Sequence, residues 1–517
     1  MSLNGMVAAS QPLAALAGLR TLRQGGNAVD AAVATAAALN VVEPMSTGVG
    51  GDAFALTYVA RTGEVTALNA SGRAPKAQTP GEMHRRGYAA MPDRGALTIT
   101  APGAVAGWHD ILERHGTLPL ADVLQPAIEL AEQGFPVTEV ISGDWLALEQ
   151  AADSLPTLAG AYLIDGRAPR PGEVFRNPAL ARTLRAIAEG GPDAFYTGPI
   201  AESIVGVVQQ NGGLMTLDDL AAHRSTWDAP LRADYRGVTI VECPPNGQGL
   251  VALEALNILE GFDLAALGYG TPACYHHLIE ALKLAFADAF AYVGDPLWAG
   301  VPTLQLIDKA YAAERRRSID PQRAASRAAP GRPRGDTVYL SVVDKDRNAC
   351  SFINSLFAGF GSGLVAEGVV LHNRGALFSL EEGHPNCLAP GKRPYHTIIP
   401  ALALKRDRLW MSFGVMGGFV QPQGHVQAAC NLIDFGMNPQ QALDAPRAIW
   451  HDGALIDLED GIGDDVRSAL ATMGHHLMAE DDPARYYGGG QIVAIDEDSG
   501  ALLGGSDPRK DGCAIGY

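Results

Sequence analysis

A chain of 517 residues is too long for one small core, and its 47% hydrophobic and 19% charged content is that of an ordinary globular protein. Its 39 Lys and Arg against 57 Asp and Glu give a net charge of -18, which argues against nucleic acid as a partner, since phosphates demand a basic surface. Met1 to Leu19 lacks the basic region of a signal peptide and no long uncharged apolar run follows, so no membrane span is expected and a cytoplasmic location is. Cys243, Cys274, Cys350, Cys387, Cys430 and Cys513 form no C-x-x-C pair, which argues against a zinc site or a disulfide framework.

Taken in chain order, helical periodicity covers Leu13 to Gln24, with Pro12 suited to the opening turn and Gly25-Gly26 ending it. Asn27 caps a second helix, Ala28 to Leu39, rich in Ala and Val and therefore expected to be buried. After the glycines Gly48, Gly50 and Gly51, the runs Ala53 to Val59 and Val65 to Leu68 predict a strand pair turning at Arg61 to Glu64. Residues 105 to 310 read as helix-rich, most clearly Tyr275 to Tyr292, which Gly294-Asp295-Pro296 stops. Residues 313 to 336 are dominated by Arg, Ala, Pro and Gly and predict a connector, either a plain linker or an exposed place for chain cutting. The pattern then changes to strands at Thr337 to Val343 and Ala349 to Phe357 around a turn at Asp344 to Asn348. Further strands are expected at 369–371, 398–404, 409–413 and 491–495, with helices at 425–435 and 439–445.

A threonine hydroxyl needs a base before it can act as a nucleophile. A free α-amino group, with an ordinary pKa of about 7.7–8.0, is well placed to be one. Cutting the bond before Thr337 would give that residue both functions. Gly414 to Gly418 follows a strand and could offer backbone N–H groups to an oxyanion, though a plain strand-to-helix turn reads equally well. Gly48 to Gly51 is neither a P-loop nor a dinucleotide fingerprint, so a nucleotide site is not expected.

Long segments spread over nearly the whole chain resemble the γ-glutamyltransferases and their relatives among the N-terminal-nucleophile hydrolases. They are GGNAVDAAVATAAALNVVEPMSTGVGGDAF (25–54), PPNGQG (244–249), HHLIEALKLAFADAFAYVGDP (276–296), DTVYLSVVDKDRNACSFINSLFAGFGSG (336–363), APGKRPYHTIIP (389–400), FGVMGG (413–418) and the final SDPRKDGCAIGY. The resemblance implies an α+β fold, the four-layer αββα sandwich. It implies cleavage between Asp336 and Thr337, giving a large subunit of 1–336 and a small one of 337–517 that together form one intertwined unit. It further implies Thr337 as nucleophile, Ser355 as its hydroxyl partner and Gly417 and Gly418 as oxyanion donors. No metal or organic cofactor is implied, and an assembly pairing two such heterodimers is compatible with it.

The acyl pocket departs from that of a transpeptidase. Ser71 stands where an Arg clamps the substrate carboxylate, with Arg73 two residues on, and Leu377 stands where an Asp holds the amino group. Phe357 and Arg374 replace an Asn and a Gln, and His396 and Thr397 replace paired serines. Without the Asp, and with Arg374 added, the pocket is expected to prefer a small acyl group bearing a carboxylate but no α-amine, as in oxamate amidohydrolase-like and cephalosporin or glutaryl acylase-like members. The rival readings are a true γ-glutamyl hydrolase or transpeptidase and an unprocessed, non-catalytic relative. His372, His276 and His277 read as core histidines and Asp507 with Arg509 as a structural pair.

Overall fold

A computed structural model describes residues 1–326, 336–482 and 485–517. Its centre is a pair of antiparallel sheets whose strands alternate apolar residues between two faces. The first sheet uses β1 (Met6–Ala9), β2 (Asp52–Val59), β3 (Glu64–Ala70), β4 (Thr226–Asp228), β7 (Asp336–Val343), β8 (Ala349–Phe357) and β13 (Cys513–Gly516), in the order β13-β1-β7-β8-β2-β3-β4. The second uses β5 (Leu231–Tyr235), β6 (Val238–Glu242), β9 (Ala401–Lys405), β10 (Arg408–Met416), β11 (Gly489–Ile495) and β12 (Leu502–Ser506), in the order β12-β11-β10-β9-β6-β5.

Each sheet carries helices on its outer face. The first is covered by α1 (Pro12–Arg23), α2 (Ala28–Val42), α3 (Ala104–His115), α4 (Leu120–Gln133) and α5 (Pro178–Tyr196). The second is covered by α6 (Gly249–Leu259), α7 (Pro272–Tyr292), α8 (Val420–Ile433) and α9 (Pro439–Asp444). Between the sheets lies a separate core that includes Phe54, Leu56, Tyr339, Ile353, Leu402 and Met416. This is the four-layer αββα sandwich.

Strand β7 shows how the pattern works. Val338, Leu340 and Val342 face the helices, whereas Tyr339 and Val343 face the second sheet. By the same alternation Thr337 opens into the space between the sheets, where it is fully buried. On the outer side, α2 is buried along its whole length, and its seven Ala among fifteen residues let it lie close to the strands. The Asn27 side chain accepts from the Val29 and Asp30 N–H groups, and Asp30 accepts in return from the Asn27 N–H at 2.8 Å, a full capping box.

Most expected elements form within a few residues of their expected bounds. The exceptions have local causes. Strand β9 starts at Ala401 rather than 398, because the N–H groups of Ile398 and Ile399 are taken by His396 and Gln421 side chains. Helix α8 starts at Val420 rather than 425, and Pro422 is tolerated because it falls in the first turn, where no N–H is needed. The stretch 226–242, read within a helix-rich region, supplies three strands instead. Of the expected connector, 327–335 lies outside the described residues, while its beginning runs into a short helix, Lys309–Arg316.

The first part of the connector is held by a cluster that sequence reading took for simple packing. His276 Nε2–H donates to Asp320 O at 2.8 Å, and its Nδ1 lies 2.9 Å from His475. Glu280 accepts from the Ala325 N–H at 3.1 Å and from Lys283 at 2.7 Å.

Close backbone approach brings the first sheet to the site. The Gly103 N–H donates to Gly51 O at 2.9 Å, and a Cβ at Gly103 would lie 1.8 Å from Ala70 O. No side chain can yield there, only backbone. Gly103→Ala is therefore expected to destabilise the protein by about 1–3 kcal/mol, read as a lower urea midpoint with an unchanged slope.

Candidate active site

Strand register sets the site. In the first sheet Ser355 pairs with Asp52 across β8 and β2, and Asp336 pairs with Phe357 across β7 and β8 after a bulge between Asn354 and Phe357. Thr337, Ser355 and Asp52 therefore form a row on three neighbouring strands, all fully buried. The bulge leaves Phe357 at φ +78, a region that non-glycine residues avoid and that is enriched where a site needs it.

The row is tied by hydrogen bonds. Ser355 Oγ accepts from the Phe357 N–H at 2.9 Å and from Arg374 Nη2 at 3.0 Å. Ser355 Oγ also lies 3.0 Å from Thr337 Oγ1, a hydroxyl–hydroxyl hydrogen bond. Arg374 Nη1 donates to Thr397 Oγ1 at 2.7 Å, and the guanidinium lies 4.6 Å from the centre of the Phe357 ring.

Asp52 is the counter-ion behind Arg374, with Oδ2 3.7 Å from Nε. Its Oδ1 accepts from the Gly72 N–H at 2.9 Å, and its Oδ2 accepts from His396 Nε2 at 3.0 Å. The His396 tautomer follows, because Nδ1 accepts from the Ile398 N–H at 3.3 Å. His372 is turned the other way: Nε2–H donates to Thr100 O at 3.0 Å, and Nδ1 accepts from the Arg374 N–H at 3.3 Å. Burial opposes ionisation of Asp52, but His372, His396 and Arg374 outweigh it and hold the carboxyl well below the usual range. Burial lowers Arg374 to about 9, which leaves it a cation at neutral pH. Burial, then Arg374, pushes His396 down to about 3, and burial also lowers His372.

These shifts have a measurable sign. Burial takes His223, His396 and His425 each down to about 3. Between the unfolded value, about 6.5, and that folded value the unfolded chain binds protons that the folded chain refuses. Stability is thus greatest above pH 6.5 and falls as the pH drops. The slope should approach about 1.4 kcal/mol per pH unit for each such histidine. Urea midpoints at pH 7.5, 6 and 5 should fall in that order; a constant midpoint would contradict neutral burial of these rings.

The second sheet contributes a glycine turn. Ser341 Oγ donates to Ser412 O at 3.0 Å, and the Tyr339 ring lies against Gly414. Continuing this pairing by two residues on each strand carries Thr337 toward Met416 and Gly417. Gly417 and Gly418 have φ of +124 and +59, open to glycine. Their carbonyls are engaged: Gly417 O accepts from the Val420 N–H at 2.9 Å, and Gly418 O from Gln248 Nε2 at 2.9 Å. Among the described residues, neither glycine N–H donates to a protein acceptor. Two such N–H groups at the end of a strand are donors of the kind an oxyanion needs.

Comparison with known proteins agrees with this geometry. The family described as Gamma-glutamyltranspeptidase matches residues 14–517. The chain belongs to that family. It is 41% identical to the glutathione hydrolase-like YwrD proenzyme of Bacillus subtilis, covering 99% of this chain and 98% of that one. It is 37% identical to the oxamate amidohydrolase proenzyme of Klebsiella pneumoniae, covering 100% and 99%. The structure of cephalosporin acylase from Bacillus halodurans superimposes with a TM-score of 0.94 at 46% identity, covering 100% of this chain and 96% of that chain. The protein is thus an N-terminal-nucleophile hydrolase, a self-processing enzyme of the amidohydrolase and transferase type that acts on small acyl amides. Among the described residues no helix is long and apolar enough to cross a membrane.

Of the residues expected at the site, the structure brings Thr337, Ser355, Phe357, Arg374, His396 and Thr397 into one network. Ser71 lies beside it, donating from Oγ to Asn69 Oδ1 at 2.7 Å. Arg73 does not join: it is 28% exposed and reaches Asp295 at 3.4 Å and Gly391 O at 3.3 Å. Leu377 and its neighbours place no acidic side chain among Arg374, Thr397 and Ser355. Asp336 enters through its backbone alone, as its side chain lies outside the described residues. Asp507 is structural as expected, pairing with Arg447 at 2.6 Å and Arg509 at 3.0 Å.

Sequence reading passed over Asp52 and Gln248. Asp52 follows the glycine cluster at the first position of a strand, where a charge is unusual, and that was the available signal. Gln248 sits in the quoted PPNGQG segment, but nothing local marks its side chain as turned inward.

Proposed function

We propose that the chain is cut between Asp336 and Thr337 into segments 1–336 and 337–517, and that the freed Thr337 hydrolyses amides of small, carboxylate-bearing acyl groups. The observation that carries this reading is the hydrogen-bonded row Thr337–Ser355–Arg374. The Thr337 hydroxyl is hydrogen-bonded to that of Ser355, and the same Ser355 is held by a buried cation.

In self-cleavage the Thr337 hydroxyl attacks the Asp336 carbonyl carbon. The C–N bond breaks as the acyl group moves to oxygen, and water hydrolyses the ester to leave the Asp336 carboxylate and the Thr337 amine. In turnover the amine accepts the hydroxyl proton while Oγ1 attacks the substrate carbonyl. The Gly417 and Gly418 N–H groups receive the oxyanion. In comparable sites each such donor is worth about 3–4 kcal/mol. The amine then protonates the leaving nitrogen, and water releases the acid.

The substrate class follows from charge. Arg374 uses one N–H of Nη1 on Thr397 and one of Nη2 on Ser355 while Nε faces Asp52, so the second N–H of each Nη remains for a carboxylate. No anion stands at Leu377 to pair with an ammonium. Oxamate and glutaryl anilide are the substrates to try against γ-glutamyl anilide. Turnover of glutaryl anilide or oxamate at a kcat/KM at least tenfold above the γ-glutamyl compound supports the proposal. The reverse order favours a γ-glutamyl hydrolase or transpeptidase with a rebuilt pocket.

A further inference from the structure

We infer that Gln248 is a positioning residue that ties the Gly417–Gly418 turn to the acyl pocket. The inference rests on the oxyanion role proposed above for those glycines. Gln248 is fully buried and lies at the mouth of α6, on the segment 1–336 side of the proposed cut. Its Nε2 donates to Thr397 O at 2.7 Å and to Gly418 O at 2.9 Å, and its Oε1 accepts from the Tyr395 hydroxyl at 3.2 Å. Both amide protons and the amide oxygen are therefore used, so the side chain has one orientation.

The consequence for the loop is geometric. In a peptide unit the C=O and the following N–H point in opposite directions. The left-handed backbone of Gly417 and Gly418 has no side chain to restrict its rotation, so an external hold is needed to fix those planes. Val420 N–H holds the Gly417 carbonyl and with it the plane that carries the Gly418 N–H, while Gln248 with Gln421 N–H holds the next carbonyl, that of Gly418, and so anchors the exit of the turn. The same Gln248 amide grips Thr397, whose hydroxyl receives Arg374. Gln248 thus fixes the distance between the oxyanion donors and the acyl-binding cation. One amide spans both halves of the site, and a residue that touches no reacting atom sets their alignment.

The test is Gln248→Met, which keeps the length and loses every hydrogen bond, read by kcat and KM separately on whichever amide the wild type hydrolyses. A fall of about 10- to 100-fold in kcat with KM within threefold is expected, since a misaimed donor loses part of the effect of a missing one. Affinity for a boronic acid, which forms a tetrahedral adduct with the threonine hydroxyl, should fall by the same factor. Affinity for the free carboxylate product should stay within threefold. Tyr395→Phe removes a single bond from Gln248 and should lower kcat about threefold with KM unchanged. It carries the test if the methionine variant does not fold or is not cleaved. Full kcat and full boronate affinity in the folded variants overturn the inference. A wild type that is never cleaved and forms no boronate adduct overturns the proposed function instead.

Discussion

Thr337→Ala is expected to give a single full-length species by intact mass under denaturing conditions, with amide turnover reduced by about 10^4-fold or more. The wild type should give two species that divide between Asp336 and Thr337. Both losses have one cause: Thr337 Oγ1 is the atom that Ser355 addresses at 3.0 Å, and alanine has nothing there. The substitution removes a buried hydroxyl but leaves Ser355 held by Phe357 and Arg374, so the fold should persist. Thr337→Ser keeps the hydroxyl without the methyl that fixes its rotamer, and should retain cleavage and turnover at reduced rates. A Thr337→Ala protein that is still divided at this bond would refute the assignment.

The site was legible in the sequence where chemistry is local and obscure where it depends on sheet register. Thr337 could be picked out because a strand pattern begins there, directly after a connector-like stretch. Gly417 and Gly418 follow a strand, but a plain turn read equally well there, and the family resemblance singled them out. Asp52 could not be picked out, since its role arises only when β2 pairs with β8 and brings it level with Ser355, 303 positions later in the numbering. His396, named among the pocket residues, is a neutral donor to Asp52. Arg73 illustrates the converse. Strand periodicity put it on the side facing the pocket, but the chain leaves β3 at Ala70, and Asp295 draws the guanidinium away. The αββα layers themselves were carried by family resemblance. The strands 226–242 that complete them are only three to five residues long and did not stand out from helical surroundings, although Leu231–Tyr235 alternates apolar and polar residues.

The Asp52–Arg374 pair should show the largest stability effects of any two substitutions at the site. Both groups are fully buried; Asp52 is the countercharge of Arg374, while Asp52 also has His372 and His396 against it. Arg374→Met leaves a carboxylate that keeps its bonds from Gly72 and His396 but loses its cation, and Asp52→Asn leaves the guanidinium uncompensated. Each single change is expected to cost about 3–5 kcal/mol, because an unpaired buried charge keeps its desolvation penalty. The double variant removes both charges and should cost less than the sum by about 0.5–3 kcal/mol. Urea unfolding in the Thr337→Ala background reads this cycle on one uncut chain. Strict additivity would mean that the 3.7 Å contact carries no interaction. The pair also has a pH sign: a depressed Asp52 contributes stability above its unfolded value, near 4, that is lost as the pH falls through the folded value. In Arg374→Met that contribution shrinks, so the variant's deficit should narrow as the medium becomes acidic. Arg374→Lys separates charge from shape. An ammonium cannot reach Ser355 and Thr397 together as the guanidinium fork does. It should recover most of the stability while leaving turnover about 100-fold low, the cost of a nucleophile's partner held out of line.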